Sequence, residues 1–112
     1  MEIGGEIFYT SDRNEWRRYL ESRFESSKEI WFIFPMKGSG EESLSYNDAV
    51  EEALCFGWID STIKHTDPLH RAQRFTPRRN GSPYSRQNIE RLIWLDKHGL
   101  IHPGVRESVL PI

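Results

Sequence analysis

Hydrophobic positions change period several times along the chain, and each change marks an element. Ile7, Phe8 and Tyr9 form a short first strand. Ser11 or Asp12 then caps a helix, with Glu15 three residues after Asp12 as in a capping box. Trp16, Tyr19, Leu20 and Phe24 recur at i, i+3, i+4 and i+8 on one helical face, and Arg13, Arg17, Arg18 and Glu21 take the solvated side. The run Ile30-Trp31-Phe32-Ile33-Phe34 does not alternate, so it reads as a central strand covered on both faces and closed by Pro35.

After a loop at Lys37-Gly38-Ser39-Gly40, Ser45 starts a second helix with Asp48 in its first turn. Tyr46, Ala49, Val50, Ala53 and Leu54 fit the helical template without a miss, and Gly57 supplies the left-handed residue that ends it. Trp58 to Lys64 alternates, placing Ile59, Ser61 and Ile63 on one face and Trp58, Asp60, Thr62 and Lys64 on the other. A further strand runs from about Arg71 to Thr76, after a turn at Asp67-Pro68. Asn80-Gly81 makes another turn, and Ser82-Pro83 starts the last helix, with Ser85 as an alternative cap. That helix buries Ile89, Leu92 and Ile93, together with Leu95 or Trp94, and stops at Gly99. The tail from Leu100 to Ile112 reads as irregular. The sum is one α+β domain over residues 1–112, with a mixed sheet of about four strands and three helices on one face.

Composition agrees. A chain of 112 residues with 37% hydrophobic content suits one domain with one core. A net charge of −2 argues against a general nucleic-acid coat but permits a local basic patch. One cysteine, Cys55, excludes an internal disulfide. Met1 to Thr10 lacks the pattern of a signal peptide, and Ile30 to Met36 falls far short of the ~20 residues that span a bilayer. The expected setting is cytoplasmic, with no membrane insertion.

Chemistry concentrates between Arg71 and Arg91, which holds six of the eleven arginines and a single acid, Glu90. A strand ends at Arg74-Phe75-Thr76-Pro77, Arg78 and Arg79 follow, and a helix then begins near Ser82 or Ser85. Unpaired N–H groups at a helix start, seryl hydroxyls and forked guanidinium groups together suit an oxyanion. The competing reading pairs these arginines with Asp60, Asp67 or Glu51-Glu52 as structural salt bridges. Asp60 either anchors an arginine or serves as a general base, and Trp58 on the same face either joins the core or stacks on a ligand. The expected ligand set is Trp58, Asp60, Arg74, Arg78, Arg79, Ser82, Tyr84, Ser85 and Asn88, holding a small anionic molecule without a cofactor.

Other groups offer less. Cys55 sits near a helix C-terminus, where the dipole raises a thiol pKa, and reads as a small buried hydrophobe. His98 and His102 flank Gly99 without acid or thiol ligands nearby, and His65 and His70 are loop residues, so no metal site is expected. The run Glu41-Glu42, Asp48, Glu51 and Glu52 reads as a solvated helix face that could also receive a cationic peptide.

Three ordered motifs carry a family resemblance: Ala49-Val50-Glu51-Glu52-Ala53-Leu54-Cys55-Phe56-Gly57-Trp58-Ile59-Asp60, then Arg74-Phe75-Thr76-Pro77-Arg78-Arg79, then Ser82-Pro83-Tyr84-Ser85-Arg86-Gln87-Asn88. With Lys37-Gly38-Ser39-Gly40 before them, they resemble the YdeI/OmpD-associated family, bacterial proteins connected by name with bacteriocin protection. The similarity runs from about Trp16 to Gly104. Tyr84 stands where members usually have tryptophan, and many members continue into a C-terminal helical region that this short form lacks. The resemblance implies a stress or bacteriocin-protection context and brings no settled reaction. Four roles stay open: an anion-binding module, a peptide-interaction module using the Glu41–Glu52 face, an enzyme using Asp60, and nucleic-acid binding through the arginine patch, against which the net negative charge weighs.

Overall fold

The computed structural model describes residues 5–110. Its elements run β1 (Glu6–Phe8), α1 (Arg13–Arg23), β2 (Ile30–Pro35), α2 (Tyr46–Cys55), β3 (Trp58–Asp67), β4 (His70–Pro77), α3 (Arg86–Lys97) and α4 (Pro103–Val109). The four strands form one mixed sheet in the order β1-β2-β4-β3. β1 pairs parallel to β2 through the α1 crossover, and β4 runs antiparallel to both β2 and β3.

The α+β architecture follows the hydrophobic pattern. Asp12 caps α1, with its side chain accepting from Asn14 N, and Ser45 caps α2 by accepting from Asp48 N. Gly57 ends α2 at φ +77°, a conformation glycine adopts without a Cβ penalty. Trp16 and Leu20 from α1, Ala49, Val50, Ala53 and Leu54 from α2, and Leu92 and Leu95 from α3 pack onto Ile30, Phe32, Phe34 and Phe75. Trp31 and Ala72 are buried yet stand outside that cluster, because alternation points them at the opposite face. β2 is a central strand buried on both faces, as its unbroken apolar run implies. Among the described residues the helices pack on one face, and Lys64 lies over Trp31 on the other.

Three expectations change. Asp60 pairs with Phe75 but Ile63 pairs with Gln73, so β3 carries one extra residue there. This bulge breaks the alternation read from Trp58 to Lys64 and leaves Ile63 46% exposed. Ile93, expected in the core, is exposed at 53%, because the turn of α3 aims Leu92 and Leu95 inward. The tail is not wholly irregular: α4 makes a fourth helix, with Pro103 at its start and His102 accepting from Gly104 N. The part of that tail at 111–112 lies outside the described residues, as do residues 1–4 of the chain's start. Among the described residues no helix is long and apolar enough to cross a membrane.

Candidate ligand-binding site

The end of β4 and the start of α3 meet at a turn built around Arg78. Its backbone N–H donates to Gly57 O at 2.9 Å, which ties the turn to the end of α2. Its guanidinium doubles back, with Nη1 donating to Ser82 O at 2.7 Å and Nη2 to Ser108 O at 2.8 Å. The same group lies 4.3 Å from the centre of the Tyr84 ring, in cation–π contact. Arg78 thus joins β4, the turn and α4 through carbonyl oxygens rather than acids. Neither it nor the exposed Arg79 has an acidic partner among the described residues, so their charges stay uncancelled.

Beside this turn a polar chain crosses from β3 to the helices. Tyr46 donates its hydroxyl to Asp60 Oδ2, and Asn88 Nδ2 donates to Asp60 Oδ1 at 3.2 Å. Asn88 Oδ1 in turn accepts from Arg91 Nη1 at 2.9 Å, and Arg91 Nε donates to Asn47 Oδ1 at 3.0 Å. Burial, and then the hydrogen bond to Asp60, push the Tyr46 hydroxyl pKa well above its ordinary value, so it stays a donor. Asn88 is buried at 6% exposure. Ser85 caps α3 by accepting from Asn88 N at 3.2 Å. The N–H groups of Arg86 and Gln87, in the same first turn, have no partner among the described residues.

Two recesses open on either side of Pro83 and Tyr84. One, of about 310 Å³, is lined by Ile59, Asp60, Tyr84, Ser85, Gln87 and Asn88, with Pro83 at its rim. The other, of about 420 Å³, runs from Arg78 and Ser82 past Tyr84 to Ile89, Val109 and Leu110. A ligand in the first meets carboxylate oxygens on its floor and helix N–H donors at its edge, with Arg78 behind the shared tyrosine.

A family model described as a domain of unknown function, DUF8412, matches residues 8–108, from the last residue of β1 to the penultimate residue of α4. The chain belongs to that family. No curated protein and no solved structure matches it.

Of the nine positions expected to bind a ligand in this DUF8412 domain, six line the two recesses: Asp60, Arg78, Ser82, Tyr84, Ser85 and Asn88. Trp58 does not stack on anything external. It is 1% exposed in the core, and its indole N–H donates to Phe24 O. Arg74 is also elsewhere, because β4 alternation turns it to the open sheet face, where Nε and Nη2 meet Glu29 at 2.9 and 2.8 Å. Arg79 is exposed and lines neither recess. Ser82 is not the helix start, since its carbonyl is held by Arg78, and Ser85 takes that role. Asp60 anchors no arginine directly, because Asn88 stands between it and Arg91.

Tyr46 and Gln87 were missed. Tyr46 fitted an apolar helical stripe, and its one polar signal was the hydroxyl, which a half-buried tyrosine must satisfy. Gln87 was visible only as one position in the first turn of α3.

Several other polar groups singled out in the sequence of the DUF8412 domain have partners of their own. Arg13 donates to Asp48 and Glu51, each at 2.9 Å, and to Glu52. Arg17 reaches Glu52 at 2.8 Å and Leu100 O at 2.9 Å. The helical part of the acidic run is therefore not a free solvated face: α1 pairs with Asp48, Glu51 and Glu52, and Glu52 is buried, while Glu41 and Glu42 stay exposed. Glu41 bonds His70, and Glu42 accepts from Ser11. Cys55 is buried, and burial followed by nearby Glu52 pushes its thiol pKa up to about 11, away from the reactive thiolate. His98 stacks on Trp94, and no group of three or more His, Cys, Asp or Glu side chains is placed to hold a metal among the described residues.

Proposed function

We propose that this domain binds a small polar molecule whose anionic group sits at the first turn of α3 and whose donor group reaches Asp60. The observation that carries this reading is convergence. Asp60, Tyr84, Ser85 and Asn88 line one recess, at the place where Arg86 and Gln87 offer backbone N–H groups. A helix N-terminus favours an anion, and the uncancelled charges of Arg78 and Arg79 add to the same field. Asp60 then orients the other end of the ligand, its two oxygens fixed by Tyr46 and Asn88.

Binding fits better than turnover. Asp60 is held by two hydrogen bonds, and the one thiol is sealed in the core. The resemblance to YdeI/OmpD-associated proteins supports a stress or bacteriocin-protection setting for such a module.

The test is a thermal-shift screen against nucleotides, sugar phosphates and small amino and hydroxy carboxylates, run with the Gln87→Glu variant. A carboxylate at the second position of α3 suits the helix dipole, so the variant folds at least as well while repelling an anion. A ligand present at a hundred times its dissociation constant stabilises the parent by ~2.7 kcal/mol. A shift in the parent that vanishes in Gln87→Glu supports the site. An equal shift in both proteins, or none with any anion, removes it.

A further inference from the structure

The wider of the two recesses beside Tyr84 takes no part in the binding proposed above, and its lining is of a different kind. It holds about 420 Å³ between the turn after β4, the start of α3 and the end of α4. Its apolar side is drawn from three segments: Pro83 and Tyr84 before α3, Ile89 near the start of that helix, and Val109 with Leu110 at the end of α4. Val109 is buried, but Pro83 is exposed and Tyr84, Ile89 and Leu110 are only partly covered. The recess is therefore already open, and no side chain has to move to form it.

Arg78 supplies the polar end. Three of its N–H groups are spent on the carbonyls of Arg79, Ser82 and Ser108, two from Nη1 and one from Nη2. Nε–H and the second Nη2–H have no partner among the described residues. Nε and Nη2 form the side edge of the planar fork, which matches the two oxygens of a carboxylate. The Ser82 and Tyr84 hydroxyls lie on the same lining and make no hydrogen bond among the described residues. The carbonyls thus hold the guanidinium in place without cancelling its charge. A fixed cation at one end of a small apolar recess suits an anion with a hydrocarbon tail. Its volume is near the lower end, about 300 Å³, of the range for small-molecule sites.

We infer that this recess is a second ligand site, for a small aliphatic carboxylate whose acid group meets the free edge of Arg78 and whose tail lies against Pro83, Ile89 and Leu110. Arg78 is then both the clamp that joins the turn to α4 and the counter-charge of the ligand. The site does not rest on the binding proposed at the first turn of α3, because Gln87 lines only the other recess.

The probe is octanoate, with octanamide as its neutral counterpart and butyrate as its short-tailed one. The readout is the methyl resonances of Ile89 and Leu110 in the isotope-labelled domain. Octanoate should move both, and should bind about tenfold more tightly than either counterpart. Arg78→Met keeps much of the stem and should lower octanoate to the affinity of octanamide. Gln87→Glu should leave the titration unchanged, which separates this site from the recess beside Asp60. Unmoved methyl resonances overturn the inference. So does equal affinity for octanoate and octanamide in the parent, a comparison that needs no variant, or for octanoate and butyrate. A preference for the acid that survives in Arg78→Met overturns it as well. Binding that appears only after residues 111–112 are deleted would make the chain's own end the occupant, and that too overturns it.

Discussion

At the α1–α2 seam, Arg13 and Arg17 meet Asp48, Glu51 and Glu52 across 35 or more residues of chain. At the turn between β4 and α3, Arg78 meets no acid and spends its donors on the carbonyls of Ser82 and Ser108. Both regions looked like exposed charge when read along the sequence. In the first, two guanidinium groups meet three carboxylates, so most of the charge is paired and part of a conspicuous acidic run becomes a structural contact. In the second the guanidinium is held by carbonyls but its charge is not matched, so the turn keeps a positive field beside an open recess. Local charge density thus says little about binding. What matters is whether the partner that satisfies a cation is itself charged.

The sharpest way to break this comparison is at Glu52, which is buried and bridges both α1 arginines. Glu52→Gln keeps the shape and removes the charge they share; its one amide oxygen can accept from Arg13 or Arg17, and its NH2 then faces the other guanidinium. Removing one partner of a buried ion pair costs about 3–5 kcal/mol. Each guanidinium keeps 32% side-chain exposure, and water screens part of the loss, so the expected destabilisation is about 2–3 kcal/mol. Urea unfolding of parent and variant measures it. A loss under ~0.5 kcal/mol would place this pair among ordinary surface salt bridges.

Arg78→Met tests the other side and should cost less. It removes three hydrogen bonds to carbonyls, the one to Arg79 O being the longest at 3.2 Å, and the contact with Tyr84 while keeping much of the stem, for about 1–2 kcal/mol. Arg79→Ala is the matched control at the neighbouring, exposed position and should stay within about 0.5 kcal/mol of the parent. If the two variants unfold at the same urea concentration, Arg78 is not the clamp that joins the turn to α4.

Legibility followed the range of the interactions. α2 could be read from cap to Gly57, because its apolar stripe, Ser45 and Asp48 are local signals. β2 was likewise bounded by its apolar run and Pro35. The bulge after Asp60 was not legible, since an extra residue shows only when β4 is laid alongside. α4 had signals that went unused: Pro103 at a first helical position, and Val105 and Val109 four residues apart. The candidate site was readable as a segment but not as a geometry. Arg74 and Arg78 are four residues apart, yet alternation and the end of β4 send one to Glu29 on the open face and the other to α4. Tyr46 comes from another helix, and no spacing within the Arg71–Arg91 stretch could have named it.

The smallest expected effect concerns a third charge cluster, intermediate between the two regions. His70 Nδ1 lies 2.9 and 3.0 Å from the Asp67 oxygens, and Nε2 lies 2.9 Å from Glu41 Oε1. A neutral imidazole has one N–H, so only the imidazolium donates to both carboxylates. Asp67 first, and Glu41 second, raise the His70 pKa above its ordinary value of 6.5, and His70 in turn lowers that of Asp67. A raised folded pKa stabilises the fold fully below the unfolded value, and that contribution fades as pH rises through the folded one. Asp67 acts in the opposite sense: its contribution is present above 3.8, its ordinary value, and is lost as pH falls through its lowered folded pKa. The stability difference between the parent and His70→Gln should therefore be greatest on the acid side of 6.5 and shrink as pH rises above it. It should also shrink with added salt, because the cluster is exposed. Urea midpoints across that pH range decide the matter. A difference that does not change with pH would mean that His70 holds the β3–β4 turn to the Glu41 loop by contact alone, with cancelled charge contributing nothing.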